Sequence, residues 1–199
     1  MHLLLIRHAL PVRLEVTSGP ADPELAPVGW DQAGRLAAWL LAEPVDAVCA
    51  SPLRRAVQTA APLAEAKRLD IEIVDGVAEW DRESTSYIPI EELRATRDPT
   101  WLALAAGELD QLGVDPVAFQ DRVVTAMDQI ATDYPDQTVA VVCHGGVLNA
   151  YLSAVLGLDR LLFFQPDYTC ISRVQVGRSG RRLLRTLNET PHLRGLAGA

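Results

Sequence analysis

Short unbroken apolar runs alternate along this chain with longer stretches whose apolar residues recur at helical spacing. Leu3–Arg7 reads as a strand covered on both faces, since a strand with one wet face would alternate apolar and polar residues. Val139–Cys143 reads the same way, Val45–Ala50 is a short apolar strand and Ile71–Val74 a third strand in chain order. Between them, Asp31–Glu43 places Leu36, Trp39 and Leu40 on one helical face. Leu53–Lys67 is a second helix, with Pro62 inside it as an expected kink or break. Pro116–Asp133 is a third, with proline at its first turn. Gly146–Leu156 is a fourth. Val12–Gly29, rich in proline and glycine, is expected to be a long loop. Ile171–Val176 and Leu183–Leu187 read as paired strands around a turn at Arg178–Gly180.

Strands that alternate with helices predict an α/β fold of three layers, α/β/α, around a mostly parallel sheet. Residues 79–113 break the alternation. They are more polar, irregular at first, then helical over Ile90–Arg97 and Trp101–Leu104. This segment is expected to be a helical insertion after the third strand that covers one edge of the sheet. At 199 residues, the chain is expected to be a single domain over 1–199.

Composition removes several classes of function. The chain carries 18 basic and 26 acidic residues, a net charge of −8, which disfavours sequence-independent binding to nucleic acid. The basic residues Arg173, Arg178, Arg181, Arg182, Arg185 and Arg194 cluster near the C-terminus and read as a solvated strand pair and tail. Cys49, Cys143 and Cys170 are too few and too scattered for a disulfide framework or a zinc site, which suits a reducing, cytoplasmic setting. The N-terminal apolar run is cut short by Arg7 and His8, so no secretion signal is expected. Thr138–Leu158 contains no Asp, Glu, Lys or Arg and matches a membrane span in length. Its β-branched first half, its paired glycines and its helix-like second half fit a buried strand, a tight turn and a buried helix instead.

Three of the buried strands end in polar residues of similar kind. Ile6 runs into Arg7-His8, Ala50 into Ser51-Pro52-Leu53-Arg54-Arg55, and Cys143 into His144-Gly145-Gly146. Ligands of open α/β sheets sit beyond the carboxyl ends of the strands. If these strands are parallel neighbours, their ends gather two histidines and two or three arginines into a cationic pocket within an acidic protein. A phosphate is the natural occupant. Arginine offers a planar fork to two phosphate oxygens, and neutral imidazole is a good nucleophile that nearby arginines help keep unprotonated. Arg54 and Arg55 are adjacent helical residues and cannot face the same way. Gly145 and Gly146 allow a tight turn and could present N–H groups to an anion at the start of a helix.

Together these segments resemble the phosphoglycerate mutase-like histidine phosphatases. Leu5-Ile6-Arg7-His8-Ala9 is similar to their first motif, Ser51 through Ala60 to their second and Cys143-His144-Gly145-Gly146 to their third. Leu25, Gly29, Gln32 and Ala33 match the motif before the first helix. The resemblance implies that His8 becomes phosphorylated, that Arg7 and Arg55 clamp the phosphoryl group with Gly145 beside it, and that His144 completes the pocket. It implies that Glu79 protonates the leaving oxygen, a task that needs a raised pKa; Asp81 and Glu83 stand close by as rivals. The resemblance implies no cofactor and no metal, and a homodimer is compatible with it.

The departures narrow the function. Where the family's mutases carry Glu-Arg-His-Tyr-Gly, this chain reads Glu79-Trp80-Asp81-Arg82-Glu83, and Leu14 stands where they place asparagine. Ala9 replaces the usual glycine. The expected activity is therefore hydrolysis of a small phosphorylated metabolite without a metal. The alternatives are a cofactor-dependent phosphoglycerate mutase and a non-catalytic module that binds a phosphorylated ligand. Specificity is expected to lie in the 79–113 insertion and the 9–29 loop. Trp80, Tyr87 and Trp101 read equally well as packing residues or as substrate walls.

Overall fold

The structure is a computed structural model that describes residues 1–196, so the last three residues of the expected 1–199 domain lie outside the described residues. In chain order the elements are β1 (His2–Arg7), β2 (Leu14–Glu15), α1 (Pro27–Leu40), β3 (Ala47–Ala50), α2 (Arg54–Lys67), β4 (Ile71–Ile73), β5 (Ser86–Tyr87), α3 (Ile90–Thr96), α4 (Pro99–Ala106), α5 (Pro116–Asp133), β6 (Thr138–Cys143), α6 (Gly145–Leu156), β7 (Ile171–Val176) and β8 (Arg182–Glu189). The main sheet has six strands in the order β4-β3-β6-β1-β7-β8. The first four are parallel, while β7 runs antiparallel to β1 and β8 antiparallel to β7.

Each continuous apolar run serves two cores. Leu3 and Leu5 of β1, with Val139 and Val141 of β6, pack on one face against Phe119, Val123 and Met127 of α5 and Val147, Leu148 and Tyr151 of α6. Leu4 and Ile6, with Ala140 and Val142, pack on the other face against Leu36 and Leu40 of α1 and Ala56, Ala60 and Leu63 of α2. The period of two along a strand forces this division. The charge-free stretch 138–158 is β6 and the mostly buried α6, and among the described residues no helix is long and apolar enough to cross a membrane. Of the C-terminal arginines, Arg173 pairs with Glu43 and Glu189, Arg178 with Asp136 and Arg182 with Asp128.

Four features differ from the sequence expectation. First, α1 starts at Pro27, four residues before the expected Asp31. Pro27 sits in the first turn, where its missing N–H costs nothing. Gly29 lets that turn lie against the 9–13 segment, since a Cβ there would fall 2.1 Å from the Leu10 carbonyl oxygen. Second, α2 runs unbroken through Pro62. The proline removes one intrahelical bond, but Ala56, Ala60, Leu63 and Ala64 on both sides of it are held in the same core. Third, the 9–29 loop contains β2, which pairs with β5; the Val16 and Ala21 amides extend the contact by donating to the Thr85 and Ser84 carbonyls. Two-residue strands leave no periodicity to read.

Fourth, the insertion does not cover the sheet edge. Ile73 on edge strand β4 is 50% exposed. Ile90 and Leu93 of α3 and Trp101 and Leu104 of α4 instead line a pocket shared with Arg7 and His8, above the carboxyl ends of the strands. The apolar residues of the insertion gather around that cavity, and a three-residue edge strand offers little surface to cover.

Candidate active site

The floor of the pocket follows from the sheet order. β3, β6 and β1 are adjacent and parallel, so their ends lie side by side. The ladder runs one residue further on two of them: the His8 amide donates to the Cys143 carbonyl (2.8 Å) and the Ser51 amide to the Val142 carbonyl (3.0 Å). Arg7, His8, Arg55 and His144 are all buried there.

Each side chain is held from behind. The His8 Nδ1 lies 2.8 Å from the Ala9 carbonyl oxygen. A carbonyl only accepts, so this contact places the imidazole proton on Nδ1 and leaves the Nε2 lone pair free. Burial, then the charges of Arg55 and Arg7, hold the His8 pKa well below its ordinary value, so the ring is neutral at pH 7. Its backbone is fixed as well: the Ala9 amide donates to Thr59 Oγ1, which in turn donates to the Arg55 carbonyl. The rings of His8 and His144 stand 5.1 Å apart between centroids. His144 Nε2 meets Ser51 Oγ at 2.7 Å, and burial, Arg55 and His8 hold this second imidazole neutral too.

The two arginines are mounted alike. Arg7 donates to the Pro166 carbonyl (2.6 Å) and lies 3.7 Å above the Tyr168 ring. Arg55 donates to Asp81 (2.8 Å) and lies 4.6 Å from the Tyr87 ring. Cation–π stacking fixes each guanidinium plane without consuming its remaining donors. Arg7 Nε, Arg55 Nε and His144 Nδ1 are buried without a hydrogen-bond partner, which is the donor set a tetrahedral oxyanion would satisfy.

Glu79 follows the fourth strand and closes the floor. It accepts from the Gly146 amide (2.8 Å) and the Trp80 amide (3.1 Å). Burial and the neighbouring Asp81 charge push its pKa up to about 7. Gly146 is required by this arrangement, because a Cβ there would lie 1.9 Å from the Trp80 ring and 2.4 Å from Glu79 Oε1. The Gly146 N–H, expected to face an anion, is therefore engaged by Glu79. Gly145 lines the pocket at the start of α6. Glu83, the rival acid, has a side chain that is 80% exposed and pairs with Arg82.

All five candidate residues, with Gly145, thus border one pocket or lie directly behind it. Sequence reasoning missed others. Asp81 is the partner of Arg55, where only a rival to Glu79 was expected. Tyr168, beneath Arg7, lies in the irregular segment between α6 and β7, where nothing in the local pattern marks it. Asn149 on α6 donates to the Gly145 and Phe164 carbonyls and accepts from the Phe163 and Phe164 amides, fixing one wall of the pocket to the start of the helix. An asparagine in a helix without charged residues is its one visible signal. Among the described residues, no group of three or more His, Cys, Asp or Glu is placed to hold a metal ion.

Comparison with known proteins agrees with this architecture. The family model of the histidine phosphatase superfamily (branch 1) matches residues 3–189, and the chain belongs to that family. Phosphoserine phosphatase 1 of Hydrogenobacter thermophilus is 30% identical over 204 residues, covering 96% of this chain and 93% of that protein. A bifunctional protein of Mycobacterium tuberculosis is 32% identical over 202 residues; the match covers 96% of this chain but 54% of that protein's length. The crystal structure of a phosphoserine phosphatase from Entamoeba histolytica in complex with 3-phosphoglyceric acid shares the fold, with a TM-score of 0.76 and 24% identity over 96% of this chain and 98% of that one.

Proposed function

We propose that the protein is a metal-independent phosphomonoesterase that works through a phosphohistidine on His8 and acts on a small phosphorylated metabolite. One observation carries this reading: a buried, neutral imidazole with its proton held on Nδ1 and its Nε2 free stands between two arginines. The family membership supports phosphatase chemistry at such a site.

In the first half-reaction, His8 Nε2 attacks phosphorus and the ester P–O bond breaks. Arg7, Arg55 and His144 stabilise the three equatorial oxygens, where charge accumulates. Protonated Glu79 gives its proton to the leaving alkoxide. In the second, Glu79 as carboxylate takes a proton from water, the water oxygen attacks phosphorus and the N–P bond breaks. Phosphate leaves, and Glu79 is again protonated. A pKa of about 7 suits an acid that must then act as a base.

Hydrolysis is favoured over the mutase alternative because Leu14 and the stretch Trp80–Glu83 stand where a mutase would hold its phosphoglycerate. A non-catalytic binding module would not need Glu79 at a pKa near neutrality. The three buried, unpaired cysteines suit a cytoplasmic setting.

Rapid quench with a radiolabelled phosphate ester should trap an acid-labile, base-stable adduct on His8. His8→Ala should abolish both the adduct and turnover. A label on Ser51 or Cys49 would sink the mechanism. Activity should survive EDTA; a loss restored by added metal would equally refute it.

A further inference from the structure

The pocket is far larger than a phosphoryl group, and its upper part has a different chemistry from its floor. The cavity volume is about 720 Å³, within the roughly 300–1,000 Å³ of sites that enclose drug-sized ligands. Above the floor its walls include Trp101, Leu104, Leu112, Leu162, Phe163 and Phe164, all only half-buried and so available to a ligand. Apart from the two histidines, the charged side chains at the site are Arg7, Arg55, Glu79 and Asp81 on the floor and Arg160 above it. The first four serve the phosphoryl group and its proton. Arg160 is exposed at the rim and donates to the Ala105 carbonyl (2.7 Å).

We propose that the alcohol part of the natural substrate is a bulky apolar or aromatic group, bound against these walls, and not an amino acid or a glycerate. This inference rests on the phosphomonoesterase reading of the floor. A phosphoserine brings an ammonium and a carboxylate, and a phosphoglycerate brings a carboxylate. Ser84, Ser86, Thr100 and Gln165 also line the cavity but are neutral, so beyond Arg160 at the rim each of these charges would lose hydration without an opposite charge to receive it, which is costly. An alkyl or aryl group loses unfavourable contact with water instead, and fills a volume that a three-carbon acid would leave largely empty. The proposal departs from the substrate named for the Hydrogenobacter thermophilus relative.

The test compares kcat/KM for primary alkyl phosphates of similar leaving-group basicity: ethyl, butyl, hexyl and 3-phenylpropyl phosphate, set against O-phosphoserine and 3-phosphoglycerate. Each fully buried methylene is worth about fourfold, so partial burial should still give on the order of tenfold or more from ethyl to hexyl. Phosphoserine and 3-phosphoglycerate should fall below hexyl phosphate by a similar factor. Leu104→Gln should lower the hexyl-to-ethyl ratio, a quantity that partial loss of folded enzyme does not change. A flat alkyl series would overturn the inference while leaving the phosphatase reading intact, provided His8 is labelled. So would a preference for phosphoserine or phosphoglycerate, above all one lost in Arg160→Gln. No release from any ester, with no labelling of His8, would overturn both.

Discussion

The floor and the roof of the pocket are built on opposite principles. The floor is assembled from the ends of β1, β3 and β6, which are hydrogen-bonded neighbours buried between two helical layers. Its side chains are held from behind and have little freedom, while Arg7 Nε, Arg55 Nε and His144 Nδ1 stay without a partner. The roof comes from the insertion and the segment between α6 and β7. It consists of short helices, 3-10 turns and irregular backbone joined to the 9–29 loop through the two-residue pairing of β2 with β5. Charge chemistry demands the first construction, because an anion is stabilised only by donors that are already in place and need not reorganise. Recognition of an apolar group tolerates the second, since hydrophobic contact is non-directional and scales with area.

This contrast predicts that small changes in the floor cost more than large changes in the roof. Short of removing the nucleophile itself, the steepest loss is expected from Arg55→Lys. The charge is kept, but the planar fork that can face Asp81, the Tyr87 ring and a phosphate at once is gone. Removal of one preorganised donor typically lowers kcat by about 10²–10³. Kinetics on hexyl and ethyl phosphate should show equal losses, because both share the floor. A loss confined to the longer ester would break the division between the two regions.

Glu79→Gln comes next and separates substrates by leaving group. Alkyl phosphates leave as basic alkoxides and should slow by roughly 10²-fold, whereas nitrophenyl phosphate leaves as a stabilised phenolate and should slow much less. Glu83→Gln should leave both rates unchanged, since its side chain points into solvent. The pH dependence has a definite sign. In the proposed mechanism turnover of alkyl esters needs Glu79 protonated, so kcat/KM should fall as pH rises through about 7. That alkaline limb should disappear in Glu79→Gln. A limb that persists in the variant would assign it to another group.

The legibility of the two regions differed for the same physical reason. The floor could be read because buried strands need continuous apolar runs, and the polar residues that interrupt them stand out: Arg7-His8, Ser51 and His144 each follow such a run. Which of those ends meet depends on the order of strands in the sheet, and the sequence alone leaves that conditional on the strands being parallel neighbours. The roof gave no such signal. Tyr168 and Phe164 lie in irregular backbone, Asp81 in a single 3-10 turn, and β2 and β5 are two residues long. Their positions depend on contacts with residues far away in the chain, such as Tyr168 with Arg7 and Leu14 with Tyr87. The polar, irregular start of the insertion marks it as separate, but its helices cover the pocket and not the sheet edge, because amphipathicity says that a helix must cover something and does not say what.

A very small effect is expected one residue from the large one at Arg55. Arg54 and Arg55 are consecutive in the first turn of α2, about 100° apart around its axis. Arg55 has a side chain that is 1% exposed, while that of Arg54 is 54% exposed and pairs with Glu24, itself 53% exposed. An exposed pair of this kind is worth about 0–1 kcal/mol. The Arg54 amide also donates to the Asp22 carboxylate (2.9 and 3.0 Å), which holds the start of α2 against the loop, but that contact belongs to the backbone and survives any change of side chain. Arg54→Gln should therefore leave kcat/KM within about twofold of wild type for every ester and should lower the unfolding free energy by no more than about 1 kcal/mol. Denaturant melts and the ethyl and hexyl phosphate assays together read both quantities. A loss of tenfold or more in kcat/KM with stability unchanged would mean that the substrate reaches past the floor to the rim at Arg54. It would place a charge requirement outside Arg7, His8, Arg55 and His144, and the boundary between a rigid cationic floor and a permissive roof would have to be redrawn to include the outer face of the first turn of α2.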